Sequence, residues 1–389
     1  MLNASRSGDS LTVQQLLTED ANIEMTDQHG RTPLILATIA GHAKLVKQLI
    51  DSGADVTATD QSQQTALNWA ILRRHETIAR LLLAHGAEVN HRGRDDVTPL
   101  LVAAGSGQLE LLQELHRHGA NLDARLRHSG MNSLMLALHQ GHTQMVHWLL
   151  AHHVDIQIPN AAGITPLMSA IDERHYHLAI ALLDAGANIN VRNRAGWGPL
   201  MYSLVSQQRS VFEELLKRGA KVDADEQHHI SPLMIAAANG SDWAVRPLLL
   251  RGVDIDQRDR RGFSALIGAA WNGQLTTATT LIDNGANLEL GDTQGRTALI
   301  WAAGHGQQAI VRLLLEAGAD ANATDDGGHT ALIYAAATGD QAIVNQLLDA
   351  GARVAWTDAA GLHAGDWASS RKHEHIASAL ASLVTIQDD

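Results

Sequence analysis

The sequence predicts an all-α solenoid in which one pair of short helices is repeated along the chain. The main observation is a period: the motif Thr/Ser-Pro/Ala-Leu recurs every 33 residues, with a single spacing of 34. A period of this length is typical of repeat arrays. The length agrees, because 389 residues exceed the roughly 250–300 at which one compact core stops growing. The first position of the motif falls at Thr32, Thr65, Thr98, Asn132, Thr165, Gly198, Ser231, Ser264, Thr297, Thr330 and His363.

Each motif predicts the start of a first helix. Thr297 has the side-chain oxygen that caps a helix N-terminus, and in units such as Thr32-Pro33 a proline follows at the first helical position. The small-residue run Ala302-Ala303 lets a neighbouring helix pack closely. A glycine such as Gly306 then interrupts the helix.

A second helix follows in every unit. Ile310, Val311, Leu313 and Leu314 form one apolar stripe at helical spacing. Gly318 is typical of the left-handed cap that ends a helix. An exposed polar turn, which we call a finger, then leads to the next repeat.

These motifs resemble the ankyrin repeat. Gly-x-Thr-Pro-Leu, x-x-Ala-Ala, Gly-His, Leu-Leu-x-x-Gly-Ala and Val/Ile-Asn carry the resemblance over residues 1 to about 385, in the manner of long bacterial arrays. It implies an ankyrin-repeat solenoid of helix-turn-helix units with short β-hairpin-like fingers, forming a single domain over 1–389. We expect residues 1–23 to be a degenerate N-terminal capping unit, about 27–357 to be ten repeats, and 358–389 to be a C-terminal capping repeat.

Composition excludes several classes of function. The net charge is −13, and residues 320–389 contribute −7 of it through ten acidic and three basic residues, which disfavours a nucleic-acid partner. The chain contains no cysteine, so disulfides, thiolate catalysis and cysteine metal sites are excluded. Apolar runs are far shorter than the roughly 18 residues of a membrane span, and no secretory signal is recognisable. By default we expect the protein to be located in the cytoplasm. A periplasmic or secreted location is the alternative if a leader was removed.

Arginines are concentrated in the central fingers. Four of them lie just before first helices, at positions that vary among ankyrin repeats: Arg94, Arg194, Arg260 and Arg261. An arginine there is free to bind a carboxylate with its planar guanidinium. These four residues are therefore candidate contacts with an acidic partner surface, and solvated loop charge is the alternative interpretation.

Aromatic residues fall into two groups. Five share one position, two residues after the motif leucine, which we call the slot. They are interpreted as packing residues: Trp69, Tyr202, Trp301, Tyr334 and Trp367. Trp197 and Phe263 instead precede a first helix, and Trp271 ends one. The resemblance implies that such positions lie on the concave surface through which ankyrin proteins bind, and exposed tryptophans often anchor interfaces. These three are predicted to bind the partner.

No cofactor, metal site or catalytic residue is predicted. His42 and His75 occupy the Gly-His position, to which the resemblance assigns a structural role, and no histidine has a partner at a recognised ligand spacing. The chain lacks a phosphate-binding loop, a nucleophile elbow and a zinc-protease helix. Residues 172–177 form the densest ionisable cluster and are the place where an unrecognised active site would lie.

The leading hypothesis is a non-enzymatic protein, monomeric when free, that captures a folded protein partner. An inhibitor or immunity protein for a cognate enzyme or toxin is the sharper version. A secreted effector that binds a host protein, and an enzyme using residues 172–177, are the alternatives. Pro247 within a second helix and the threonine-rich segment 275–282 predict a weak point that could act as a hinge.

Overall fold

The regular structure of the chain consists of pairs of helices, a first and a second helix, that follow one another along the sequence. The computed structural model describes residues 1–225 and 228–387, and within them it contains 24 α-helices, one 3₁₀-helix at Arg94–Asp96 and no β-sheet. The predicted all-α fold class is confirmed. The chain divides into two compact units, Met1–Arg194 and Ala195–Asp389, each with six helix pairs in its described part. The organisation as a single domain stays a prediction.

The helix pairs have nearly constant lengths in both units. In the first unit they are α1 Leu2–Ser7 and α2 Ser10–Thr18, α3 Pro33–Ala40 and α4 Ala43–Asp51, α5 Ala66–Leu72 and α6 Glu76–Ala84, α7 Pro99–Ser106 and α8 Leu109–Arg117, α9 Ser133–His139 and α10 Thr143–Ala151, α11 Pro166–Asp172 and α12 Tyr176–Asp184. In the second unit they are α13 Pro199–Val205 and α14 Arg209–Lys217, α15 Pro232–Ala238 and α16 Asp242–Leu249, α17 Ala265–Trp271 and α18 Leu275–Asp283, α19 Ala298–Gly304 and α20 Gln308–Glu316, α21 Ala331–Thr338 and α22 Gln341–Asp349, α23 Ala364–Ser370 and α24 Glu374–Gln387.

First helices begin where the motif predicts. The Thr32 hydroxyl accepts a hydrogen bond from the Ile35 amide at the start of α3, and the cap at Thr297 has the same geometry. Such a cap satisfies one of the backbone donors that a helix N-terminus leaves unpaired. Gly198 lacks a side chain and is the exception, so α13 begins with Pro199 and no side-chain cap.

In most helix pairs a glycine with a left-handed backbone lies between the two helices, and its lack of a side chain permits close packing. Gly41 has φ +81°, and a Cβ built on it would lie 2.9 Å from the His75 ring of the next repeat. That ring approaches the Ile39 carbonyl through Nε2 at 3.3 Å. Gln108 makes the equivalent hydrogen bond to the Ile71 carbonyl at 2.9 Å. His75 of the Gly-His position therefore joins adjacent repeats, in agreement with its predicted structural role.

The core consists of leucine, isoleucine and valine side chains from second helices packed over the alanines of first helices. In α20, Val311 and Leu314 are fully buried, as the apolar stripe predicted. Ala302 and Ala303 of α19 are also fully buried, so helices of adjacent repeats approach closely. Each repeat buries its apolar face chiefly against its neighbours, which is how a repeat array avoids the need for one large core.

Fingers form a ladder of backbone hydrogen bonds within each unit. Ala161 donates to the Ser129 carbonyl in the first unit, and Thr293 donates to the Arg261 carbonyl in the second, both at 2.8 Å. Isolated antiparallel bridges, such as Thr324 with Thr330, close some of the turns. The predicted hairpin-like character of the fingers is confirmed.

The sequence features that predicted a weak point lie in two consecutive second helices. Pro247 lies inside α16 and cannot donate a hydrogen bond to the preceding turn. In α18, the Thr279 and Thr280 hydroxyls donate to the carbonyls four residues earlier, at 2.9 and 3.0 Å. Both helices are nevertheless formed, and the proposed hinge stays a prediction.

Candidate partner-binding groove

A surface groove of about 220 Å³ lies in the second unit, along the first helices of three consecutive repeats. We call it the aromatic groove. Its lining includes Met234 and Ile235 of α15 and Gly268 of α17, together with Trp197 and Trp271. Because its lining is mainly apolar, it is suited to contact another apolar group.

The three aromatic residues predicted to bind a partner all line this groove. Trp197 and Phe263 directly precede the N-caps of α13 and α17, so the fold brings them to the finger side of the groove. Trp271 is the last residue of α17, so it comes from the other end of the same helix. Phe263 is only 9% exposed and forms a wall, whereas Trp271 is 36% exposed.

Ring packing holds these side chains in place. The Phe263 and Trp271 rings meet edge to face with centroids 5.5 Å apart, and Trp301 packs against both at 5.2 and 5.3 Å. His305 continues the cluster, 5.2 Å from Trp301. Such edge-to-face and tilted contacts are the favoured arrangements of aromatic pairs. The groove wall is therefore ordered before any partner binds.

Arg261 supplies the positive charge of the groove. Its guanidinium Nε donates to Asp259 Oδ2 at 3.1 Å, and its Cζ lies 4.7 Å from the centre of the Phe263 ring. The Asp259 side chain is 6% exposed and also accepts the Arg261 and Phe263 backbone amides. The Arg261 side chain is 64% exposed and lines the groove.

The other three predicted arginines are exposed but are not among the groove residues. Arg260 lies next to Arg261 on the same finger, and its amide donates to the His228 carbonyl. Arg94 and Arg194 belong to the first unit. Arg94 opens the 3₁₀-helix that contains Asp95 and Asp96, so its finger carries acidic charge as well.

The slot aromatics have a structural role, which the hydrogen bonds of four of them illustrate. Each of the four donates its polar hydrogen to the buried aspartate that begins its own finger, nine residues earlier, at 2.8 to 3.2 Å. The pairs are Trp69 with Asp60, Trp301 with Asp292, Tyr334 with Asp325, and Trp367 with Asp358. The same carboxylates accept finger amides, so one side chain joins the first helix to the finger. The interpretation of these four aromatics as packing residues is confirmed.

These contacts shift the pKa values of the groups involved. Burial would raise the pKa of Asp292, but hydrogen bonds from Arg296 and from the finger amides outweigh it and lower that pKa. A hydrogen bond from the Leu362 amide, aided by Trp367, lowers the pKa of Asp358. Burial, together with the hydrogen bond to Asp325, raises the pKa of Tyr334 to about 12.

The ionisable cluster at residues 172–177 is occupied by local contacts. Burial, with the nearby Glu173 charge, raises the pKa of Asp172. Glu173 pairs with His139 at 2.5 Å, and Arg174 has a left-handed backbone that ends the turn after α11. Of the two acidic groups, Glu173 therefore has an ion-pair partner on α9.

The described residues hold neither a cluster of metal ligands nor a membrane-spanning helix. Within 1–225 and 228–387, no three His, Cys, Asp or Glu side chains are placed to hold a metal ion. In the same part of the chain, no helix is both long and apolar enough to cross a membrane.

Sequence reasoning missed several groove residues. One of them is Asp259, which orients Arg261. The sequence contained a signal for it, because Asp292 occupies the same position in the next finger. Gly268 stands in the slot that holds an aromatic residue in five other repeats, and a Cβ there would meet nothing closer than 3.9 Å. Asn239 and Asn272 border the groove at the helix C-termini. Only the packing of neighbouring repeats brings these residues to one place.

Comparison with known proteins gives one match. A family model that describes three copies of the ankyrin repeat matches the chain in five places, at residues 1–93, 90–160, 152–226, 233–325 and 266–358. No curated protein matches the chain. Ankyrin repeats mediate binding between proteins and are generally non-enzymatic modules.

Proposed function

This chain belongs to the ankyrin-repeat family and is an interaction scaffold, and on that premise we propose that it binds a folded protein through the aromatic groove. The observation that carries the proposal is the meeting of Trp197, Trp271 and Arg261 in one groove. Tryptophan and arginine are the residue types most enriched among side chains that dominate binding energy.

The groove is a better candidate than an arbitrary surface because its exposed tryptophan lies outside the position that the repeat fold uses for aromatic packing. Trp271 does not occupy the slot, in which aromatic residues bind a finger aspartate. It is partly exposed and is held by ring contacts with Phe263 and Trp301. A rigid, exposed tryptophan loses little conformational freedom on binding.

The proposed finer role is that of an inhibitor or immunity protein for a cognate enzyme or toxin. In that role the scaffold covers a functional surface of its partner. A stoichiometric amount of the chain should then abolish the activity of the captured partner. Binding without loss of activity would favour a secreted effector or an adaptor instead.

Affinity capture with paired variants tests the proposal. The Trp197→Ala/Trp271→Ala double variant should lose a stoichiometric partner retained by the wild type, with affinity lowered by roughly thirtyfold or more. Trp148→Ala is the matched control, because Trp148 is a half-buried tryptophan on α10 in the first unit. Thermal unfolding of each variant should establish that the fold is intact. Equal capture by the double variant and the wild type would refute the groove as the binding site.

A further inference from the structure

We infer that the aromatic groove recognises a protein segment with an apolar side chain next to a carboxylate. The apolar side chain enters between Trp197 and Trp271, and the Asp or Glu carboxylate pairs with Arg261. This inference rests on the proposed function and specifies the chemistry of the partner.

The size of the groove favours a side chain over a larger ligand. Pockets that enclose a drug-sized molecule or cofactor usually measure about 300–1,000 Å³. The aromatic groove measures about 220 Å³, which is below that range. The buried residues Ile235 and Gly268 form part of its apolar lining. The groove therefore suits an inserted apolar side chain.

The finger side of the groove provides hydrogen-bond donors and positive charge. Its sequence, residues 258–261, is Arg-Asp-Arg-Arg. Asp259 is buried and already accepts three hydrogen bonds, so it acts to orient Arg261 and not to attract a cation. Only Nε of the Arg261 guanidinium is used in this contact, and the terminal nitrogens can bind a carboxylate with two parallel hydrogen bonds.

The opposite side of the groove provides hydrogen-bond acceptors. The Asn239 Nδ2 donates to the Ile235 carbonyl at 3.1 Å, and the Asn272 Nδ2 donates to the Gly268 carbonyl at 2.9 Å. These contacts fix the orientation of each asparagine side chain and leave its amide oxygen available as a hydrogen-bond acceptor. A bound segment thus finds a cation at the finger and neutral acceptors at the helix ends, which sets its direction in the groove.

A cationic ligand fits these features poorly. Aromatic walls alone would suit a methylated ammonium group. The face of Phe263, however, is already covered by the Arg261 guanidinium, 4.7 Å from the ring centre. A second cation would meet like charge there, whereas a carboxylate would gain an attractive pairing.

A phage library of random peptides, selected on the full-length chain, tests the inference. Enriched peptides should share an apolar residue adjacent to Asp or Glu. Replacing that acidic residue with its amide, or replacing Arg261 through Arg261→Gln, should weaken binding on the order of tenfold. Arg312→Gln is the charge-matched control, since Arg312 is exposed on α20, outside the groove.

Filling the groove provides a second, independent variant. Ala238 lines the groove at the end of α15 and is half-buried, so Ala238→Phe should occupy the space and reduce peptide binding at least tenfold. Ala337→Phe is its control, because Ala337 has the same register in α21 and the same partial burial but lines a different groove of the unit. Circular dichroism should be unchanged in both variants.

Several results would overturn the inference. They are failure to enrich any peptide, enrichment of basic or carboxylate-free peptides, or equal binding to Ala238→Phe and the wild type. The proposed function is tested separately by capture of a whole protein. If peptides behave as expected but capture is insensitive to the tryptophans, the proposed function fails. If capture needs the tryptophans but not a carboxylate, this inference alone fails.

Discussion

Removing the charge of Asp292 should locally destabilise the repeat that contains it. Asp292 Oδ1 accepts the Gln294 and Arg296 amides at 2.8 and 3.0 Å. Its Oδ2 accepts Arg296 Nε at 2.9 Å and Trp301 Nε1 at 3.2 Å. In Asp292→Asn the amide oxygen can replace Oδ1, but the amide nitrogen then faces the two side-chain donors.

The expected magnitude follows from these contacts. A hydrogen bond to a charged group contributes about 1.5–3 kcal/mol. The Asp292 side chain is only 1% exposed, so water does not replace the lost partners. We therefore expect the free energy of local opening to fall by about 1.5–3 kcal/mol, which is a roughly 10- to 150-fold faster hydrogen exchange.

Hydrogen exchange with mass spectrometry resolves this effect by segment. The finger and α19 of Asp292→Asn should exchange faster, while α7 in the first unit serves as an internal reference. Asp283→Asn is the matched control, because Asp283 is an exposed residue at the end of α18. Equal protection of α19 in the two variants at neutral pH would refute the role assigned to Asp292.

The effect of Asp292→Asn should depend on pH. Because the pKa of Asp292 is lowered in the folded protein, its ionised form stabilises the fold above the unfolded value of 3.8. That contribution is lost as the pH falls through the lower folded value. The difference between the wild type and Asp292→Asn should be constant from neutral pH down to about 5 and should shrink below about 3.8.

Three further predictions concern other repeats of the second unit. Tyr334→Phe removes the hydrogen bond to Asp325 and should accelerate exchange in α21 by about tenfold; unchanged exchange would contradict this. Gly339→Ala and Gly351→Ala both place alanine at a left-handed φ, which costs about 1–2 kcal/mol. Only at Gly339 does the Cβ meet a histidine ring, at 2.5 Å, so thermal unfolding should show the larger loss there. Pro247→Ala restores a backbone donor and should slow exchange in α16, and faster exchange would disprove the weak point.

Much of the fold could be predicted because a repeated sequence imposes a repeated local structure. A threonine before Pro or Ala marks the cap of a first helix, and the glycine that follows marks its end. The structure has these features at Thr32 and Gly41. Local backbone preferences and one apolar stripe are sufficient to predict them.

The candidate site was predictable only in part. Trp197 and Trp271 could be selected because they lie outside the positions that the repeat needs for packing. Their meeting in one groove depends on side chains from three repeats, and no single repeat contains that information. Arg261 was selected with Arg94, although the two lie in different units.

The sequence by itself determined the helix pairs, their boundaries and the class of protein to which the chain belongs, because these depend on neighbouring residues along the chain. The tertiary structure decided which variable residues become one surface. It made Asp259 a support for Arg261 and brought Trp197, Phe263 and Trp271 into the lining of one groove. The physical reason is that a repeat array brings residues about 33 positions apart into contact, so a binding surface arises from differences between repeats and not from the motif that they share.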